Sequence, residues 1–117
     1  MKTILTSEQT KYLIDLGVPK EKASGRLSYG FAGSYPIFKL EDFLNGEILP
    51  TEIEDDESNW WMEFSMQYSA PQQKWFVAYH ALNEDGVSFV RYSEELIDAL
   101  YELTCWYYGK YLKNEDK

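Results

Sequence analysis

The chain is poor in the residues that build reactive centres. Its 117 residues include one cysteine, Cys105, and one histidine, His80. A single cysteine excludes an internal disulfide framework. A single histidine excludes a two-histidine metal site and a zinc site built with several cysteines. Any serine or cysteine nucleophile would need His80 as its base, and nothing in the spacing supports a pairing of His80 with Cys105. Cys105 falls among apolar residues in a helical pattern, which reads as a buried structural thiol rather than a reactive one. Gly25, Gly30 and Gly33 lack the following lysine and serine or threonine of a Walker-type loop, and no serine sits in a nucleophile elbow. No apolar run approaches transmembrane length. The opening MKTILTSEQTKYL has only two successive apolar residues, so no secretory leader is expected. Basic residues are also scarce, 11 against 20 acids, for a formal charge of −9. That sign opposes direct binding to nucleic acid or to an anionic membrane and favours basic protein partners. The expectation is a cytoplasmic protein with no cofactor.

Aromatic residues are abundant instead. At 17% of the chain they supply enough large apolar surface to make intrinsic disorder a poor reading. The length suits one domain spanning residues 1–117, able to bury a core without staples. In TSEQ, Thr6 and Gln9 have capping-box spacing and open a helix over 6–18, with Tyr12, Leu13 and Leu16 on one face. Gly17 is its left-handed terminator, Val18 folds back on Leu13, and Pro19 stops continuation. Residues 19–35 carry three glycines and no sustained period, so they read as a long loop. Tyr29 and Phe31 within it are candidate contacts. YPIFKLEDFLNGEILP gives an extended piece and a two-turn helix with Leu40, Phe43 and Leu44 inward and Gly46 as its stop.

The segment 51–59 reads as an open acidic loop. Glu52, Glu54, Asp55, Asp56 and Glu57 lie within six residues, without the central glycine and distal glutamate of an EF-hand. From Trp60 the period changes to two. Trp60, Met62, Phe64, Met66 and Tyr68 alternate with Trp61, Glu63, Ser65, Gln67 and Ser69, which marks a strand with one buried face. APQQ makes a turn. The return strand has Trp75, Val77, Tyr79 and Ala81 on one side and Lys74, Phe76, Ala78, His80 and Leu82 on the other. NEDG makes a second turn, and VSFVRY a third strand. Trp61 sits on the polar face, and the second strand is apolar on both sides. Either a helix covers that second face or an apolar patch lies open for a partner or a second copy. Ser93 can cap a last helix over 94–112, roughly 28 Å long. Its stripe is Leu96, Leu100, Leu103 and Tyr107, with Ile97, Thr104, Tyr108 and Tyr111 beside it. The CWYYGKYL end stands partly outside the core, and 113–117 is a frayed tail.

The fold class is therefore α+β: N-terminal helices, a three-stranded antiparallel meander and a long C-terminal helix on the sheet. In outline the order matches the double-stranded-RNA-binding layout, but Ser93-Glu94-Glu95 stands where that layout needs basic residues. Paired-carboxylate catalysis cannot be judged from spacing, although carboxylates in an open loop keep ordinary acidity.

Four pieces carry a resemblance across nearly the whole chain: LTSEQTKYLIDLGVP, YPIFKLEDFLNGEILPTEIE, the tryptophan-rich meander and SEELIDALYELTCWYY. In this order they resemble a group of small uncharacterised proteins of phages, prophages and mobile elements in gut bacteria of the Bacteroides type. The resemblance implies origin and an intracellular setting, and it brings no activity or site residues. The leading expectation is a non-enzymatic accessory that binds a host or phage protein. In a sharper version the acids at 52–57 imitate nucleic-acid phosphates and occupy a basic groove. The rival is a small structural domain that self-associates through the second sheet face around Trp61 and the Tyr107, Tyr108 and Tyr111 end. A metal-dependent hydrolase is a third, weaker reading.

Overall fold

A computed structural model of the chain describes residues 1–28, 33–55, 60–81 and 88–112. The class is α+β, with a C-terminal helix packed on antiparallel sheet. Helix α1 (Ser7–Leu16) begins as its capping box requires. The Gln9 N–H donates to Thr6 Oγ1 at 3.1 Å, and the Thr6 N–H donates to Gln9 Oε1 at 3.0 Å. It ends at Gly17, whose φ of 118° is costly for any side chain-bearing residue. The Val18 N–H reaches back to the Leu13 carbonyl at 3.0 Å, and both side chains are buried. Leu13 faces the core as expected. Tyr12 does not: it is half exposed, with its ring 6.4 Å from that of Tyr101.

The expected loop 19–35 is partly regular. A single 3₁₀ turn (Lys20–Lys22) leads into β1 (Gly25–Ser28), which pairs antiparallel with β2 (Ser34–Ile37). Tyr29 and Phe31, the candidate contacts, lie outside the described residues. After β2 the chain runs back along its own beginning. The Leu5 N–H donates to the Phe38 carbonyl and the Leu40 N–H to the Thr3 carbonyl. Helix α2 (Leu40–Phe43) is one turn, not two. Phe43 is buried, whereas Leu44 faces solvent because the helix stops there, and Ile48 and Leu49 fill the core in its place. Asp42 is 4% exposed and is the linchpin of this corner. Its carboxylate accepts the Lys39 N–H at 2.8 Å and the Ser24 N–H at 3.0 Å, which fixes α2 against the chain entering β1.

The main sheet has four strands, not three: β3 (Glu52–Asp55), β4 (Trp60–Ser69), β5 (Lys74–Ala81) and β6 (Ser88–Ser93), in that order and all antiparallel. Residues 52–55 of the expected acidic loop are thus a strand. Glu52 pairs with Glu63, Ile53 with Met62 and Glu54 with Trp61. The expected NEDG turn lies outside the described residues, as does the tail 113–117. Helix α3 (Leu96–Trp106) covers one face of the sheet, and α1 and α2 pack against it. Ser93 does not cap α3 as a helix N-cap. It accepts the Glu95 N–H, while the Glu95 and Asp98 carboxylates are drawn to the Lys2 N–H and Lys2 ammonium.

α3 continues as a π-helical turn (Tyr107–Tyr111). This end is partly outside the core, as expected: Trp106 and Tyr107 are buried, Tyr108 and Tyr111 half-buried and Lys110 exposed. Trp106 stacks on Phe89 with centroids 4.3 Å apart and also abuts Tyr79. The wider turn brings successive tyrosines toward one stretch of chain. Tyr108 donates its hydroxyl to the Ile48 carbonyl at 3.2 Å, Tyr79 donates to Pro50 at 2.7 Å, and Tyr111 donates to Glu54. Three phenols thus satisfy three carbonyls along the chain leading into and through the edge strand β3. α3 leaves the end of β6 and reaches β3 only at its far end, so it crosses the sheet diagonally. The corner of β4 holding Met66 and Tyr68 is left uncovered, and both are exposed despite their place in the inward register. No helix among the described residues is long and apolar enough to cross a membrane.

Two outcomes follow from this packing. Burial, reinforced by Tyr107, Tyr108 and Tyr111 nearby, raises the Tyr79 phenol above its ordinary value, and burial raises Tyr108 as well. A raised phenol means that the folded state favours the neutral donor. Its stabilisation is complete below the unfolded tyrosine value near ~10 and is lost as pH rises through the folded value. Urea midpoints should be flat to about pH 9.5 and fall above about pH 10. Tyr79→Phe should cost about 1–2 kcal/mol at neutral pH and flatten that fall; an equally steep alkaline limb in the variant would remove Tyr79 as its source. Asp42→Ala strands two backbone donors in a buried corner, and denaturant unfolding should show a loss of about 2–3 kcal/mol. A loss below about 0.5 kcal/mol, the ordinary surface value, would contradict that role.

Candidate functional site

The sheet face turned away from α3 has no helix over it among the described residues. The Cα envelope is 19 Å in its shortest dimension, the depth of a sheet and a helix layer without a third. Of the two arrangements left open by the sequence, the described residues show the open face. Alternation assigns its side chains, and the register aligns them in rungs. Glu54 lies beside Trp61. Glu52, Glu63 and His80 form the next rung, followed by Ser65, Ala78 and Val90, then Gln67, Phe76 and Tyr92, and last Ser69 with Lys74.

The face is apolar at its centre and polar at its ends. Trp61 is 52% exposed and Tyr92 56% exposed, with Val90 also open to solvent and Phe76 half-buried. The Phe76 and Tyr92 rings lie 5.6 Å apart, and the Lys74 ammonium sits 5.0 Å over the Tyr92 ring. Ala78 is buried between its larger neighbours. Three carboxylates, those of Glu52, Glu54 and Glu63, gather at the Trp61 end, and Lys74 stands at the opposite end. All three are exposed.

The structure therefore brings together three of the residues singled out in the sequence, Glu52, Glu54 and Trp61, and adds Glu63 to them. Asp55 ends the same strand opposite Trp60. Asp56 and Glu57 lie outside the described residues. An expectation of a loop over 51–59 hides the joining of acids and tryptophan. The signal that could have found it is the alternation of Glu52, Ile53 and Glu54, an apolar residue between two polar ones just before a longer strand of the same period.

His80 and Cys105 are on opposite sides of the sheet. His80 is exposed on the open face, whereas Cys105 lies on α3, on the covered side. The two cannot act as base and nucleophile. Cys105 lines a groove of about 550 Å³ with Tyr12, Leu16, Arg91, Glu102 and Lys110, a wall of mixed charge. Burial pushes its thiol up, and the Tyr101 hydroxyl and Arg91 oppose this only in part. A second cavity of about 300 Å³ between α1 and β2 is lined mainly by apolar surface from Ile14, Tyr35 and Pro36.

No family of proteins, no curated protein and no solved structure matches this chain.

A raised, half-buried thiol is a weak nucleophile. Alkylation of Cys105 by iodoacetamide near pH 8 should be at least about tenfold slower in the folded protein than in urea. Equal rates, followed by mass spectrometry, would show that the thiol is freely available.

Proposed function

We propose that this protein is a non-enzymatic interaction protein whose working surface is the open face of its sheet. The observation that carries this reading is the rung pattern itself: Trp61, Phe76, Val90 and Tyr92 on a face that no layer of the described residues covers. Aromatic side chains give large contact area at low entropic cost, and they are enriched in protein interfaces. Scattered apolar residues need no explanation, but Phe76, Val90 and Tyr92 clustered on two adjoining strands, with Trp61 exposed toward the acidic end, do. Glu52, Glu54 and Glu63 around Trp61 suit a partner that brings a basic side chain to that end, where carboxylates and an indole ring both attract a cation. The same acids disfavour a phosphate backbone or an anionic bilayer. In the phosphate-mimic version of this reading the acids at 52–57, joined by Glu63, occupy a basic groove.

A cytoplasmic setting fits a chain whose thiol is free. Service as an accessory of a phage or mobile element is carried over from the sequence resemblance and from nothing else.

The test compares two surfaces of the same protein. Trp61→Glu and Tyr92→Glu alter the open face, whereas Tyr12→Glu alters an exposed aromatic on α1, on the other side of the molecule. Tagged full-length protein should capture a protein partner, foreign or an untagged copy of itself, and both face variants should reduce capture by about tenfold or more. Tyr12→Glu should leave it unchanged, with all three variants matching the parent in circular dichroism and melting. Capture that survives both face substitutions and fails with Tyr12→Glu would move the working surface to α1 and overturn the proposal.

A further inference from the structure

We infer that the partner on the open face is a second copy of the chain, packed face to face about a two-fold axis that crosses the strands at the Ser65–Ala78 rung. The inference rests on reading that face as the working surface and adds what occupies it.

The argument is one of charge and position. β4 and β5 run antiparallel, with Ser65 opposite Ala78. Trp61 lies four residues from Ser65 along β4, and Lys74 lies four residues from Ala78 along β5, in the opposite direction. At ~3.3 Å per residue each is about 13 Å from the central rung. The face thus has an acidic aromatic end and a lysine end at equal distances from its middle.

A two-fold axis lying in the interface and running across the strands exchanges the two ends. It sets the Trp61 rung of one copy over the Lys74 rung of the other, with Glu63 one rung nearer the axis, and does so twice. Glu63 reaches the partner's Lys74 from that adjoining rung, and the Trp61 indole offers its face to the same ammonium. The rung of Glu63 and His80 lies over the partner's Phe76 and Tyr92. Two-fold axes in the same plane but along the strands would instead stack acids on acids, which is penalised. At the axis the rung is Ser65, Ala78 and Val90, small on β4 and β5 with one valine on β6, so the sheets can approach to the ~10 Å of a β-sandwich. A foreign partner would have to reproduce the lysine, the aromatic pair and the spacing; a second copy brings them by symmetry.

The experiment is sedimentation velocity of the full chain over a concentration series into the high-micromolar range. The parent should show a monomer–dimer equilibrium. Lys74→Glu and Glu63→Lys should each weaken the dimer by about tenfold or more, and the two together should restore it to within about threefold. Restoration is the decisive result, because general damage to an apolar face cannot be repaired by exchanging two charges. Circular dichroism and melting of each variant confirm that the monomer is intact. A parent that stays monomeric throughout overturns the inference, and so does a dimer that ignores the single substitutions or that the exchange fails to restore. A monomeric parent whose foreign partner is still lost in Trp61→Glu would remove the second copy as occupant and leave the open face as the working surface.

Discussion

Tyr79 is the point on which the structure turns. It is buried at the centre of the sheet, its ring lies 5.6 Å from Phe64, 6.1 Å from Trp106 and 6.2 Å from Tyr107, and its hydroxyl donates to the Pro50 carbonyl. One side chain thus joins β5 to β4, to both halves of the last helix and to the chain entering β3. Packing and hydrogen bonding are coupled here. The apolar ring sets how close α3 comes to the sheet, and that distance lets the phenols of Tyr108 and Tyr111 reach the Ile48 and Glu54 carbonyls. Tyrosine suits this task because its body is apolar and its tip is a donor. Phenylalanine would fill the space and leave the carbonyl unserved.

The same arrangement makes the protein one-sided. All its large helical cover lies on the Tyr79 face, in α3 and in the elements that α3 holds. The other face keeps the alternation of its strands and little else. Edge strands invite unwanted pairing, and β3 is such an edge. The Tyr111 hydroxyl on the Glu54 carbonyl occupies part of that edge, and the acids of β3 discourage pairing with another acidic chain.

What could be read from the sequence was mostly local. The start and stop of α1 follow from Thr6, Gln9, Gly17 and Val18, whose partners lie within a few residues. The faces of β4 and β5 follow from strict alternation, and Leu96, Leu100 and Leu103 follow from helical spacing. The misreadings share a cause, which is that distant contacts decide them. β3 is only four residues long, and its acids have poor strand propensity; it exists because β4 and the tyrosines of the last turn hold it. Tyr12 and Leu44 carry the right periodicity, but Tyr12 lies on a helix whose inward direction α3 decides and Leu44 falls just past the end of α2. Asp42 carries no local signal of its burial, which follows from accepting the Ser24 N–H of a segment distant in sequence. At the candidate site the apolar second face was legible, including Trp61, while the placement of Glu52 and Glu54 beside it depended on β3.

Strand alternation has a further consequence for how such a protein can change over generations. Residues 61, 63, 74, 76, 90 and 92 project away from the core while their immediate neighbours in sequence build it. Substitutions at these positions alter the outer surface with little disturbance of Met62, Val77 or Tyr79 beneath. The fold can therefore be held constant while its exterior diverges quickly, acquiring or discarding affinities one side chain at a time. A lineage that kept only the buried half of each strand would keep the architecture and lose almost all outward likeness to its kin.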